Sequence, residues 1–298
     1  FPRARNPRHG RLTAELSVRT DLADALARAR QAARHLPRLD RGAALLCVAD
    51  GLRRDVDAIL AANAGDVERA RAAGTSEALV DRLALSRPRL AAIADAVAQV
   101  AGLPDPVGRV LEGARLPNGL EVRTVTVPFG VIGMIYESRP NVTVDAFALA
   151  FRAGSAAVLR GSADALASNR ALVASMRAAL AAAPGVPPAA VDALQFVDDA
   201  DRARVTEMLQ ARGGIDLLIP RGGAGLIRHV VDHARVPVIE TGVGVCHLYV
   251  HDDADPDMAL AILLDGKVRR PGVCNALETL LVHRSSAAAW LPRAAAAL

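Results

Sequence analysis

The chain has 298 residues, of which 52% are hydrophobic, and its 36 basic and 32 acidic side chains give a formal net charge of +4. This length allows two domains with a buried core, because a domain commonly takes about 100–200 residues. The positive charge is spread along the chain, which disfavours a nucleic-acid-binding function, and no uncharged apolar run reaches the roughly 18 residues of a membrane span.

The chain begins with an N-terminal extension, residues 1–20, followed by a predicted helical region from Asp21 to about Gly102. The extension is basic but lacks the apolar segment of a secretory signal, and it has no starting methionine, so we expect a partial chain. In the helical region apolar residues recur at spacings of three and four, and Asp81 or Ser86 is expected to cap the last helix. Residues 110–127 then predict a hairpin, because Asn118-Gly119 is typical of its turn.

From Val131 to Glu240 short apolar runs alternate with helical patterns. Such alternation predicts crossover units and a mostly parallel, doubly wound sheet, with ligands bound at the carboxyl ends of the strands. The last strand of this series is expected at Val236–Glu240. A second unit, 241–298, is predicted as strand, helix, loop, strand and helix, and is short for an independent domain.

Cys47, Cys246 and Cys274 show no CxxC spacing, which disfavours a zinc site or a disulfide framework and suits a reduced, cytoplasmic setting. Cys274 follows a Pro-Gly turn near two arginines and Lys267, and such cations favour the thiolate form. This cysteine is either an exposed nucleophile or a small buried hydrophobe. For the other two cysteines the apolar surroundings favour burial.

Glu240 ends a predicted strand before a glycine-rich turn, so it is either a general base facing a cleft or a solvated strand end. Arg160 ends another strand and precedes Gly161. A cation at this place suits the ribose 2′-phosphate of NADP, and a surface arginine is the alternative.

The turn Arg221-Gly222-Gly223 opens a helix, and N–H groups at such a start can hold an anion. It is a weak dinucleotide fingerprint because Arg228 stands where a third glycine would be, so a plain tight turn competes. His229 and His233 lie four residues apart, but the segment lacks the glutamate of HExxH, and no metal site is predicted.

Seven stretches taken together resemble the gamma-glutamyl phosphate reductases, also called glutamate-5-semialdehyde dehydrogenases. In family order they are Gly130–Thr143, Leu159–Gly161, Ser168–Asn169, Ile219–Gly223, Val236–Gly242, Cys246–His247 and Arg270–Glu278. The similarity runs from about Asp24 to the last residue.

That family is similar to the wider aldehyde dehydrogenases, so the resemblance implies an aldehyde-dehydrogenase-like α/β fold. It implies a doubly wound, parallel-sheet NADP-binding domain at 21–240, with a hairpin arm at 108–128 that joins subunits. It also implies the start of a second α/β domain, the catalytic one, at 241–298.

Carried over residue by residue, the resemblance makes Cys274 the nucleophile and Glu240 the general base of hydrolytic aldehyde dehydrogenases, which keep the same interval of 34 residues. Arg160 replaces their ribose-contacting lysine. Asn141 or Arg139 falls near the segment that helps hold the oxyanion, and the choice between them stays open. The cofactor-binding candidates are Arg160, Gly161 and the turn 221–223.

The activity implied is the NADPH-dependent reduction of gamma-glutamyl phosphate to glutamate 5-semialdehyde in proline biosynthesis, through a thioester on Cys274. The resemblance also implies a cytoplasmic homo-oligomer that acts on a small molecule. An aldehyde dehydrogenase that oxidises other substrates with NAD, and a truncated remnant without activity, remain alternatives.

The sequence departs from the family pattern at Val245, where asparagine is usual, and at Asp265-Gly266, where Asn-Ala is usual. Both departures flank the predicted site, so we expect them to alter substrate binding. The resemblance also implies that the family continues past Leu298.

Overall fold

The computed structural model describes residues 21–240, 242, 244–271 and 273–298, and the predicted extension lies outside them. The chain forms two compact units, and it passes from the first to the second between Ile239 and Glu240.

The region that the apolar spacing predicts to be helical contains five α-helices: α1 (Leu22–Ala33), α2 (Arg41–Arg54), α3 (Val56–Ala72), α4 (Glu77–Leu83) and α5 (Arg87–Gly102). Ser86 caps α5 by accepting a hydrogen bond from the N–H of Arg89. Asp81, the other predicted cap, instead pairs with the Arg89 guanidinium at 2.6 Å. Ser86 and Asp81 thus both bind Arg89 in the first turn of α5, Ser86 through the backbone N–H and Asp81 through the guanidinium.

The predicted hairpin forms between β1 (Val110–Arg115) and β2 (Glu121–Val125), which pair antiparallel. Gly119 sits in the turn at φ +86°, a conformation that glycine adopts at little cost. Every residue of both strands is exposed.

The predicted alternation follows, and its elements are β3 (Val131–Tyr136), α6 (Pro140–Arg152), β4 (Ala156–Arg160), α7 (Leu166–Ala182), α8 (Pro188–Val191), β5 (Leu194–Phe196), α9 (Ala203–Gln210), β6 (Leu217–Arg221) and α10 (Ala224–His233). The four strands form one parallel sheet in the order β5-β4-β3-β6. The first strand of the sheet along the chain is β3. The next two, β4 and β5, are added on one side of it, and β6 is added on the other side. This reversal makes a topological switch point beside β3, where open α/β sheets bind ligands.

The strand expected at Val236–Glu240 does not form. Val238 makes an isolated bridge to Leu218, supported by the Leu218 N–H donating to the Pro237 carbonyl at 2.8 Å. Pro237 has no N–H to donate to a ladder, and Glu240 is exposed beyond the bridge. The segment therefore touches the sheet without extending it.

Aromatic side chains of α6 lie in the core beside this sheet. Phe147 and Phe151 are fully buried with ring centroids 5.2 Å apart, and the residues of β4 before its last are all buried. This packing leaves the carboxyl ends of the strands as the polar edge.

The second unit contains β7 (Cys246–Val250), α11 (Pro256–Val268), β8 (Leu277–Val282) and α12 (Arg284–Ala297). Its two strands pair in parallel, as a strand–helix–strand crossover requires. A small core joins them to the helices, and its buried members are Val250, Ala259, Leu263, Trp290 and Ala294. In the described part of the chain, every helix is too short or too polar to cross a bilayer.

Candidate active site and cofactor cavity

A cavity of 560 Å³ opens at the switch point of the first unit. Its walls come from the end of β3, the end of β4, the first turns of α9 and one face of α10. The lining is Ile135, Tyr136, Glu137, Arg160, Ser162, Arg202, Ala203, Val205, Thr206, Leu226 and His229. The cavity thus combines apolar side chains with several charged or polar ones, as small-molecule sites usually do.

Arg160 lines this cavity from the end of β4, where the sequence predicts a cofactor contact. Its Nη2 donates to the carbonyl of Ala200 at 3.2 Å, while its Nε is buried without a partner. Burial, followed by the charge of Arg202, lowers the pKa of the Arg160 guanidinium below its ordinary value. Burial and a like charge both disfavour the cation, so this side chain is suited to an incoming anion.

Gly161 follows Arg160 and packs against buried side chains that are linked by hydrogen bonds. Tyr136 Oη and Thr143 Oγ1 lie 2.7 Å apart, and Thr143 Oγ1 donates to Asn169 Oδ1 at 2.7 Å. A Cβ on Gly161 would come within 2.2 Å of Asn169 Nδ2. Close packing therefore explains the glycine, and its cofactor contact stays a prediction. The burial of Tyr136 raises the pKa of its phenol well above the usual value.

The turn Arg221-Gly222-Gly223 receives the carboxylate of Glu137. The N–H of Gly223 donates to Glu137 Oε1 at 2.8 Å, and a Cβ on Gly222 would lie 2.7 Å from Glu137 Cδ. Arg221 is exposed and lies outside the cavity lining. The predicted anion-binding N–H thus exists at the start of α10, and it holds a carboxylate of the protein itself.

Asn141 and Arg139 stand at the start of α6. Asn141 Nδ2 donates to Asp145 Oδ2 at 3.1 Å, which commits one of its two amide hydrogens. Arg139 is the N-cap residue, and its side chain makes no capping hydrogen bond. The pKa of Asp145 is raised by burial, against the opposing effect of the Asn141 amide. Neither oxyanion candidate is placed against a reacting group by these contacts.

In the second unit, Cys274 is exposed in the loop before β8. A Cβ on Gly244, four residues after Glu240, would lie 3.8 Å from the Cys274 carbonyl oxygen. Cys246, the first residue of β7, pairs in register with Leu277. The parallel pairing of β7 and β8 thus brings Gly244 and the Cys274 loop to the same edge, where Cys274 is exposed.

Three cationic side chains were predicted near Cys274, and they differ in their partners. Lys267 and Arg270 are exposed, whereas Arg269 pairs with Asp265 at 3.3 Å. Asp265, a departure from the family pattern, therefore forms an i,i+4 ion pair on α11. Gly266 packs at ordinary distance against Leu277, since an added Cβ would lie 3.6 Å away.

Comparison with known proteins adds the family. The model of the aldehyde dehydrogenase family matches residues 4–298. A gamma-glutamyl phosphate reductase of Thermobifida fusca is 53% identical over 284 residues, which cover 94% of this chain and 67% of that protein. The chain belongs to the aldehyde dehydrogenase family, among the gamma-glutamyl phosphate reductases.

Solved structures agree with this family and with the parallel-sheet α/β fold. The crystal structure of gamma-glutamyl phosphate reductase from Thermotoga maritima has a TM-score of 0.83 at 42% identity, covering 92% of this chain and 66% of that one. The Saccharomyces cerevisiae enzyme has a TM-score of 0.66 at 32% identity, covering 87% and 65%. The chain therefore spans about two thirds of the length of these reductases.

Three cavity residues of this family member were missed by sequence reasoning: Arg202, Glu137 and Ser162. Arg202 comes just before α9, and Ser162 two residues after Arg160. Their common signal is position, because each follows a strand of the parallel sheet. His229 was considered only as a metal ligand, but it lines the cavity and stacks on His233 with ring centroids 4.4 Å apart.

One group of potential metal ligands occurs among the described residues of the reductase chain. His251, Asp252 and Asp253 are consecutive and exposed, and their ligand atoms lie within 4.8 Å of one another. They follow β7 and lie outside the residues predicted to act in catalysis.

Proposed function

We propose that this chain carries the activity of gamma-glutamyl phosphate reductase in the cytoplasm: L-glutamate 5-phosphate and NADPH give L-glutamate 5-semialdehyde, phosphate and NADP⁺. This is the second step of proline biosynthesis. The observation that carries the proposal is the 53% identity to a protein of that name over 94% of the chain. The exposed thiol of Cys274 supplies chemistry that suits the reaction.

The cavity of the first unit is the proposed cofactor site. Ile135, Val205 and Leu226 offer apolar walls for a flat base, and Arg160 offers a cation with an unpartnered buried Nε. These residues fit an adenine nucleotide that bears an extra phosphate, which favours NADP(H) over NAD(H). Gly161 and the turn 221–223 would line the path of the rest of the molecule. When bound, the cofactor supplies the hydride.

Cys274 is the proposed nucleophile. Its thiolate adds to the acyl carbon of gamma-glutamyl phosphate, and the carbon–oxygen bond to phosphate breaks as the thioester forms. After hydride reaches the thioester carbon, the carbon–sulfur bond of the thiohemiacetal breaks and the aldehyde and thiol are released. Lys267 and Arg270, both exposed and near Cys274 in sequence, offer positive charge that attracts the phosphorylated substrate. Asn141 is the proposed side-chain donor to the oxyanion, through its second amide hydrogen.

Glu240 has a different proposed role from its role in hydrolytic aldehyde dehydrogenases. A reductase must keep water from the thioester, so a strong general base at this place would work against the reaction. We therefore assign Glu240 to positioning. A Glu240→Gln variant with normal reductase turnover supports this assignment, whereas a large loss shows that the ionised carboxylate is needed.

The hairpin β1–β2 is the proposed contact with a second copy of the chain. Its exposed residues include Val110, Leu111, Leu120, Val122 and Val125, an unusual amount of apolar surface for a two-stranded ribbon in water. Sedimentation of the purified protein tests this, because a Val122→Asp variant should shift the molecule towards the monomer.

The activity is tested in the oxidative direction. Glutamate 5-semialdehyde is supplied with NADP⁺, with and without inorganic phosphate, and the formation of NADPH is followed. Turnover that requires phosphate supports the proposal. Phosphate-independent oxidation of simple aldehydes with NAD⁺ would contradict it and favour a hydrolytic aldehyde dehydrogenase.

A further inference from the structure

Two arginines reach the cofactor cavity from different elements. Arg160 comes from the end of β4 and Arg202 from the N-cap of α9, and both line the cavity. They are close enough for the charge of Arg202 to lower the pKa of Arg160, second only to burial. Two cations that repel each other in a cavity are stabilised by an anion bound between them.

Among the residues that the structure describes, no salt bridge to a carboxylate is found for either guanidinium. Arg160 makes one hydrogen bond, to the Ala200 carbonyl, and its Nε is unpartnered. Throughout residues 21–240, 242, 244–271 and 273–298, no hydrogen bond or ion pair is found for the side chain of Arg202.

The acidic residues next to these arginines are committed to other groups. Asp199 Oδ2 accepts from Arg204 Nε at 3.1 Å, and its Oδ1 accepts from the N–H of Asp201. Asp201 Oδ1 in turn accepts from the N–H of Ala203 at 2.9 Å. These bonds hold both carboxylates against the start of α9. Their charges partly offset the effect of burial and of Arg202 on the pKa of Arg160.

We propose that Arg160 and Arg202 together bind the 2′-phosphate of NADPH, and that Arg202 is a specificity-determining residue for NADPH over NADH. The inference rests on the proposed function for the identity of the cofactor, and it adds a residue that the family resemblance did not assign. NADH lacks this phosphate and leaves the two charges unneutralised. A phosphate dianion accepts hydrogen bonds from both planar guanidiniums, the geometry at which arginine is favoured.

The test is calorimetric titration with adenosine 2′,5′-bisphosphate and with adenosine 5′-monophosphate, which differ only in the 2′-phosphate. Arg202→Gln should weaken the bisphosphate by about tenfold to a hundredfold, the range expected for a lost charge-assisted hydrogen bond. Binding of the monophosphate should stay within about twofold. Arg202 is exposed, so the variant is expected to fold.

Arg228→Gln is the matched control. Arg228 is an exposed arginine beside His229 on α10, outside the cavity lining, and its loss removes the same formal charge. Both nucleotides should bind this variant as they bind the unmodified protein. An equal loss in both arginine variants would mean that only the overall charge matters, and would overturn the proposal.

Other outcomes also decide the question. If Arg202→Gln weakens both nucleotides equally, or neither, Arg202 does not read the 2′-phosphate. If inorganic phosphate alone binds as tightly as the bisphosphate, the arginines serve an anion other than the cofactor. A protein that shows the expected discrimination but reduces no gamma-glutamyl phosphate would refute the proposed function and leave this inference intact.

Discussion

The four-stranded sheet of the first unit and the two-stranded sheet of the second differ in how they are covered. Helices α1 and α6 pack on β4, all but the last of whose residues are buried. In the second unit α11 and α12 contact β8, yet Tyr249 on β7 is 54% exposed and Leu281 on β8 is 48% exposed. Parallel strands are ordinarily buried on both faces. The first unit follows this rule at β4, whereas β7 and β8 of the second unit each leave a large side chain exposed to solvent.

The two units also differ in what their polar edges carry. The first unit presents a cavity with charged walls at the carboxyl ends of its strands. The second presents the exposed Cys274 in the loop before β8, beside Gly244. The proposed nucleotide recognition and the proposed covalent chemistry therefore fall in separate units.

The largest effect is expected from Cys274→Ala. If Cys274 is the nucleophile that we propose, its removal should lower reductase turnover by at least about 10⁴-fold, in line with nucleophile deletions in other enzymes. Cys246→Ala, which removes a half-buried thiol from β7, should retain most of the activity. NADPH titration should give the same affinity for both variants. A loss of NADPH affinity in Cys274→Ala would break the division of roles between the units.

Next in size is the loss of core packing in the first unit. Phe151→Ala should lower the free energy of unfolding by about 3–5 kcal/mol, because Phe151 is fully buried against Phe147. Leu281→Ala in the second unit should cost much less, since nearly half of its side chain already meets solvent. Urea unfolding followed by circular dichroism measures both. Equal losses of unfolding free energy in the two variants would contradict the conclusion that the first unit is more fully buried than the second.

A smaller effect is expected from Asp105→Asn. The buried guanidinium of Arg41, 1% exposed, bonds to both carboxylate oxygens of Asp105 at 2.6 and 2.5 Å. Losing this charge should lower the free energy of unfolding by about 1–3 kcal/mol at pH 7. The exposed Asp95, which pairs with Arg53 at 2.7 Å, is the control, and its Asn variant should change stability by less than about 0.5 kcal/mol.

The same pair predicts a pH dependence. Burial works to raise the pKa of Asp105, but the Val107 N–H and the charge of Arg41 outweigh it, so the pKa in the folded protein is below its usual value. Stabilisation by the ionised form is therefore complete above the unfolded pKa, about 3.9, and is lost as the pH falls through the folded value. The stability difference between the unmodified protein and Asp105→Asn should shrink below about pH 4. A difference independent of pH would assign it to packing.

The smallest effect is expected from Glu137→Gln. The Glu137 carboxylate occupies the Gly223 N–H where a pyrophosphate would approach, so removing its charge should strengthen NADPH binding by about two- to fivefold. Adenosine 2′-monophosphate, which lacks a pyrophosphate, should bind unchanged, and Glu77→Gln on α4 should have no effect. Weaker NADPH binding would show instead that the carboxylate positions the turn.

Much of the fold was predictable because its signals are local. Apolar spacing indicated a helical region before the hairpin, Asn118-Gly119 indicated the turn, and the alternation after Val131 indicated the parallel sheet. The strand expected at 236–240 does not form. Its apolar residues favour a strand, but Pro237 has no N–H to donate, which limits pairing to one bridge. For the site, Arg160 at the end of β4 was found from its position after a strand.

By itself, the sequence determined the order and type of most elements, the family, and the position of Cys274 in a loop, because periodicity, turn chemistry and motifs depend on neighbouring residues. The sequence left the exposure of Cys274 open, and the tertiary structure decided it. The tertiary structure decided which distant residues meet. Arg202 reaches Arg160 because β5 lies beside β4 and α9 begins over the same edge. Glu137 reaches Gly223 because β6 crosses to the far side of β3. Sheet order sets these contacts, and it depends on packing the whole core at once rather than on any local stretch of sequence.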